Sequence, residues 1–124
     1  MDQGDAARRV GLVREALVLV AASAEEQREW VLRAGVGTDE IALMFDDVWR
    51  LGEGLVPGLR AINEVFEEMT DDRTVDHWSV AALAEDEGWE RARVLARQVL
   101  GRQRSSAGAA WLVAQFPAPL GRVI

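Results

Sequence analysis

The sequence predicts an all-α fold: a single-domain bundle of about five to six helices, followed by an irregular basic C-terminal tail. Three observations predict it. Apolar residues recur at three- and four-residue spacing in successive segments, no segment alternates as a half-buried strand does, and Gly, Pro and polar clusters divide the segments at helical lengths. The chain has 124 residues, 49% apolar and 28% charged. That is long enough to bury one core and too apolar for a disordered polymer.

In chain order, residues 5–22 read as a first helix, with Val10, Val13, Leu17 and Val20 on one stripe. The tetrapeptide SAEE at 23–26 is a capping box, Ser23 facing Glu26, and starts a second helix that Gly35 stops. Thr38 or Asp39 caps a third helix running to about Leu51. GEGLVPG makes a turn, with Pro57 placed as the first residue of a fourth helix. Leu59, Ile62, Phe66 and Met69 form its apolar stripe. TDDRTVD at 70–76 is a polar loop ahead of a short helix around 77–85. A longer helix follows from about Trp89 to Leu100. Residues 1–100 are therefore expected to be the helical domain. Residues 101–124 are expected to be a linker, GRQRSSAG, and an apolar and basic tail in which Pro117 and Pro119 enforce extension.

Composition excludes several chemistries. There is no Cys, so no disulfide, thiolate nucleophile or thiolate metal site exists. The single His, His77, excludes multi-His metal sites, and the residue three before it is Thr74, so no Glu-x-x-His motif is present. Neither a metal nor a cofactor is expected. His77-Trp78-Ser79 has no nucleophile elbow, glycine-rich phosphate loop or oxyanion turn beside it. It reads better as a helix-start His next to a buried Trp than as a general base.

The longest wholly apolar run, Ala16 to Ala22, is far short of a membrane span. Arg8-Arg9 ahead of it and Ala22-Ser23-Ala24 after it imitate a secretion leader. Asp2, Asp5 and the Arg14-Glu15 pair argue against that reading, so the expected compartment is the cytoplasm. Net charge is −7, distributed as −1 over residues 1–34, −12 over 35–90 and +6 over 91–124. The negative middle disfavours direct nucleic-acid binding, which needs a cationic face. It suits a cationic protein partner, because complementary charge accelerates association.

The stretch DEIALMFDDVWRLGEG, residues 39–54, holds two adjacent aspartates. At about 100° per residue, Ile41, Met44, Phe45, Val48 and Leu51 share the core face, and Asp46 and Asp47 point about 100° apart. Two such carboxylates cannot chelate one ion from a regular helix. Asp46 is placed to pair with Arg50 at i,i+4. Asp47 lies at the edge of the apolar stripe, which makes it the better candidate for a specific contact. Trp49 is expected to be half-exposed and rimmed by carboxylates, a suitable interface anchor. On the fourth helix Glu64, Glu67 and Glu68 point away from the apolar stripe. Glu64 and Glu68 repel at i,i+4, and Asp71 and Asp72 crowd the unfavourable end of the helix dipole. An anionic face that works against its own helix serves either solubility or the docking of a cationic partner.

GVGTDEIALMFDD at 35–47, DHWSVAAL at 76–83 and Trp89 resemble a recurrent type of small acidic helical protein of high-GC bacteria. The resemblance covers roughly residues 24–100, and the type has no established activity to carry over. In general character the chain is similar to immunity proteins, small acidic chains that neutralise a toxin. The expected function is thus a non-enzymatic binding protein, an immunity- or antitoxin-like inhibitor that occludes a basic partner such as a nuclease toxin. Its expected contact residues are Leu43, Asp46, Asp47, Trp49, Glu64, Glu67, Glu68, Asp71 and Asp72. The alternative is a structural or regulatory subunit that oligomerises through Trp111, Leu112, Val113 and Phe116 of the tail. No membrane partner is expected.

Overall fold

The computed structural model describes the backbone of residues 3–104 and the side chains of residues 4–103. The tail residues Trp111, Leu112, Val113 and Phe116, on which the self-assembly alternative rests, lie outside the described residues. The described chain is all-helical, as the spacing predicts: α1 (Gln3–Ala21), α2 (Ala24–Ala34), α3 (Asp39–Gly52), α4 (Leu59–Asp71), α5 (Ala82–Glu85) and α6 (Glu87–Arg104). Four of them close a ring. α1 packs on α3, α3 on α4, α4 on α6, and α6 back on α1, while α2 and α5 pack together at the side.

Local chemistry sets several boundaries. Ser23 Oγ accepts the Glu26 N–H and Glu26 Oε1 accepts the Ser23 N–H, the capping box read from the sequence. Gly35, left-handed at φ 71°, ends α2. Three boundaries differ from expectation. α4 begins at Leu59 and not at Pro57, because Gly58 turns the chain at φ 97°. A Cβ there would lie 2.5 Å from the Arg102 guanidinium and 2.9 Å from Val99 Cγ2, so the chain bends directly against α6. α5 is shorter than expected, since residues 77–81 form hydrogen-bonded turns described below. α6 runs through residues 101–104, across the start of the expected linker.

The core is filled by Val13, Leu17 and Val20 of α1, Ile41, Phe45 and Trp49 of α3, Leu59, Ile62, Val65, Phe66 and Met69 of α4, and Trp89, Ala92, Ala96 and Val99 of α6. A chain of aromatic rings crosses it, with centroids 6.1 Å apart for Phe45–Phe66, 5.5 Å for Phe66–Trp89 and 5.7 Å for Trp89–Trp78. These tilted and edge-on contacts are the favoured arrangement for aromatic pairs. Where α1 ends, Gln27 is fully buried. Its Nε2 donates to the Leu19 and Val20 carbonyls, and its Oε1 accepts from Arg93 Nη1 of α6 at 2.8 Å. Two carbonyls at the end of α1, one of which also accepts the Ala22 N–H, and a buried guanidinium are served by one amide.

The buried arc of α3 is rotated from the expected one. It comprises Ile41, Ala42, Phe45, Trp49 and Gly52, whereas Leu51, expected in the core, is 37% exposed. The cause is that α3 packs against two helices, α1 and α4, and the centre of its buried face falls between them. Gly52 allows the closest approach: a Cβ there would meet Val13 Cγ2 of α1 at 2.8 Å.

Candidate functional site

That rotation decides what becomes of the expected contact residues on α3. Trp49 is 2% exposed, so it is a core residue and not a half-exposed anchor. Its ring is covered on the outside by the guanidinium carbons of Arg50 and Arg60, 5.3 and 5.6 Å from the ring centroid. Arg60 is held in place by an ion pair with Glu53. Arg50 is thereby used as a lid on Trp49, and the pair expected with Asp46 does not form among the described residues.

The rotation also exchanges the roles of the two aspartates. Asp46 moves to the rim of a groove between α3 and α4, while Asp47 is exposed and lies outside that groove. The groove measures about 440 Å³ and is lined by Ala42, Leu43 and Asp46 of α3 and by Asn63, Phe66, Glu67, Thr70 and Asp71 of α4. Ala42 and Phe66 are buried, and Leu43 is half exposed at 50%. Asp46, Glu67 and Asp71 are all exposed. None of the three forms an ion pair or hydrogen bond through its carboxylate with another described residue. Four of the nine expected contact residues thus converge: Leu43, Asp46, Glu67 and Asp71.

The other α4 carboxylates do not join them. Glu64 is exposed and lines neither this groove nor the next one. Glu68 and Asp72 face a second cleft, of about 460 Å³, between α4, the loop after it and the start of α6. Here Glu68, Asp72 and Asp86 have basic partners, while Glu85 and Glu87 on the same lining pair with no described residue. Glu68 pairs with Arg91 at 3.1 Å. Asp72 Oδ2 lies 3.0 Å from His77 Nε2, and Asp86 Oδ1 lies 2.6 Å from His77 Nδ1.

This bridge was not visible as such in the sequence, where Asp76 is the acid nearest His77. Asp76 instead accepts the Trp78 N–H. Two carboxylates about one imidazole favour its protonated form. The Asp72 hydrogen bond is the main cause of a His77 pKa above its ordinary value, and Asp86 adds to it against the opposing effect of burial. Asp72 in turn is held down to about 2, first by the Thr74 hydroxyl and next by His77.

The loop that carries His77 is pinned at several points. Thr38 Oγ1, expected as an α3 cap, donates instead to the Trp78 carbonyl at 2.8 Å. Trp89 Nε1 donates to the His77 carbonyl at 2.8 Å. Ser79 Oγ accepts the Ala82 N–H. Asp86 Oδ2 accepts the N–H groups of Gly88 and Trp89 and caps the first turn of α6. With both ring nitrogens engaged by carboxylates, His77 joins the end of α4 to the start of α6. Among the described residues no group of three or more His, Asp or Glu side chains is arranged to hold a metal ion. No helix among them is long and apolar enough to cross a membrane.

In comparison with known proteins, the chain matches no family model, no curated protein and no solved structure.

Proposed function

We propose that this chain is a non-enzymatic binding protein that blocks a basic protein partner, in the manner of an immunity- or antitoxin-like inhibitor. The observation that carries the reading is the α3–α4 groove. Its floor is apolar, and its rim holds Asp46, Glu67 and Asp71, which have no cationic partner among the described residues. Asp47 and Glu64 extend the negative field around it. Leu43 is the apolar anchor, 50% exposed beside the carboxylates. A partner seated here is excluded from its own target by bulk and charge, and this chain performs no chemistry. A nuclease toxin, whose surface must be cationic to hold phosphates, is a partner of the right sign.

The test is capture of the partner from host lysate at low salt and again at several-fold higher salt. It is repeated with Asp46, Glu67 and Asp71 reversed to Arg, and separately with Asp47 and Glu64 reversed. The expected result is one basic protein, bound less well at high salt, lost in the triple reversal and only weakened in the double. Undiminished capture by a folded triple variant would overturn the proposal.

A further inference from the structure

We infer that the α3–α4 groove is a socket for an arginine side chain of the basic partner, with Asn63 as the residue that selects it. The inference rests on the binding reading above and deepens it.

Asn63 is 8% exposed, lies within the buried face of α4 and lines the groove. Its amide forms no hydrogen bond with any described residue, although neither of its polar atoms is fully shut off from the groove. Both amide atoms therefore keep some access to solvent, and a ligand group that takes the place of that water must reproduce its hydrogen bonds. The neighbouring polar residue makes no such bond, because Thr70 Oγ1 donates to the Phe66 carbonyl at 2.8 Å. A ligand that donates to the Asn63 carbonyl oxygen gains a hydrogen bond in a largely buried position.

The surroundings fix the ligand's chemistry. Three carboxylates at the rim demand a cation. The cleft around His77 differs in that Arg91 and His77 already lie within it and pair with Glu68, Asp72 and Asp86, although Glu85 and Glu87 on its lining have no such partner among the described residues. No basic side chain lines the α3–α4 groove. Within it, an arginine stem lies on Leu43, Ala42 and Phe66, and the planar guanidinium offers five donors to the Asn63 carbonyl oxygen and the carboxylates together. A lysine ammonium has three donors, holds its water more strongly and has no plane to lay on Phe66.

The test uses the ¹⁵N- and methyl-labelled full chain titrated with a capped Leu-Arg-Leu peptide and its Lys and citrulline counterparts. With the Arg peptide, the Asn63 side-chain NH₂ and Leu43 methyl resonances should shift saturably. The Lys and citrulline peptides should bind about tenfold more weakly or not at all, the loss expected for one charge-assisted hydrogen bond. Asn63→Leu should weaken the Arg peptide by a similar factor. The wild-type shifts test the site even if that variant misfolds. Shifts gathered at the His77 cleft, equal binding of Lys and Arg, or no shift with any peptide would overturn the inference. A partner lost in the Asp46, Glu67 and Asp71 reversal but held as well by Asn63→Leu as by wild type would remove the arginine socket alone. A partner indifferent to the reversal would remove the binding reading with it.

Discussion

His77 and Asp86 join the loop after α4 to the first turn of α6, with Nδ1 of the imidazole 2.6 Å from Oδ1 of the carboxylate. Because Asp72 meets the other ring nitrogen, the imidazole links the end of α4 to the start of α6, and both carboxylates favour its protonated form. Stability should therefore depend on pH at both ends of the scale. The His77 pKa is raised in the folded state. Its contribution is full below the unfolded value of about 6.5 and is lost as pH rises through the folded value. The Asp72 pKa is lowered to about 2. Its contribution is full above the ordinary value of about 3.9 and is lost as pH falls through about 2. The urea midpoint measured against pH should fall on both flanks in the wild type, and His77→Gln should flatten the alkaline flank.

Asp86 has a second task that can be separated from the first. Its Oδ2 caps α6 through Gly88 and Trp89. Asp86→Ala should destabilise by about 1–2 kcal/mol, the range for a lost N-cap. Asp86→Asn keeps a capping oxygen and should cost less, while lowering the His77 pKa by removing a neighbouring charge. Chemical denaturation of the two variants, with an NMR titration of His77, checks both parts.

Gln27 ties α1, α2 and α6 together from inside the core. Gln27→Leu should cost about 3 kcal/mol, because it strips the Leu19 and Val20 carbonyls and the buried Arg93 of a partner. Arg93 keeps Glu90 at 3.2 Å, so the loss is not total. Adding Arg93→Met should cost less than the two single changes summed, a coupling that a double-mutant cycle in urea would measure.

Gly52 tests the α1–α3 approach. Alanine is the better helix former by about 1 kcal/mol. A Cβ at Gly52 would nonetheless lie 2.8 Å from Val13 Cγ2 and 3.1 Å from Leu59 Cδ1, both in the core. Overpacking of this kind costs about 1–3 kcal/mol. Gly52→Ala should thus lower the thermal midpoint, whereas a gain in stability would show that α1 and α3 can separate freely.

What the sequence by itself determined is what neighbours along the chain can settle. The capping box at Ser23 and Glu26, the stop at Gly35 and the α4 stripe from Leu59 to Met69 depend on spacings within one helix, and all appear as read. The acidic character of residues 35–90 was legible for the same reason. Tertiary structure decided which arc of each helix is buried. The α3 wheel could be centred on Val48 or on Trp49, and only its packing against both α1 and α4 chose the latter. That choice buried Trp49, exposed Leu51 and brought Asp46 to the groove in place of Asp47. It also fell to packing to bring His77 to Asp72 and Asp86, and to bring Asn63 and Leu43 together from two helices. Such meetings depend on how helices cross, and the spacing of residues within any one of them does not encode that.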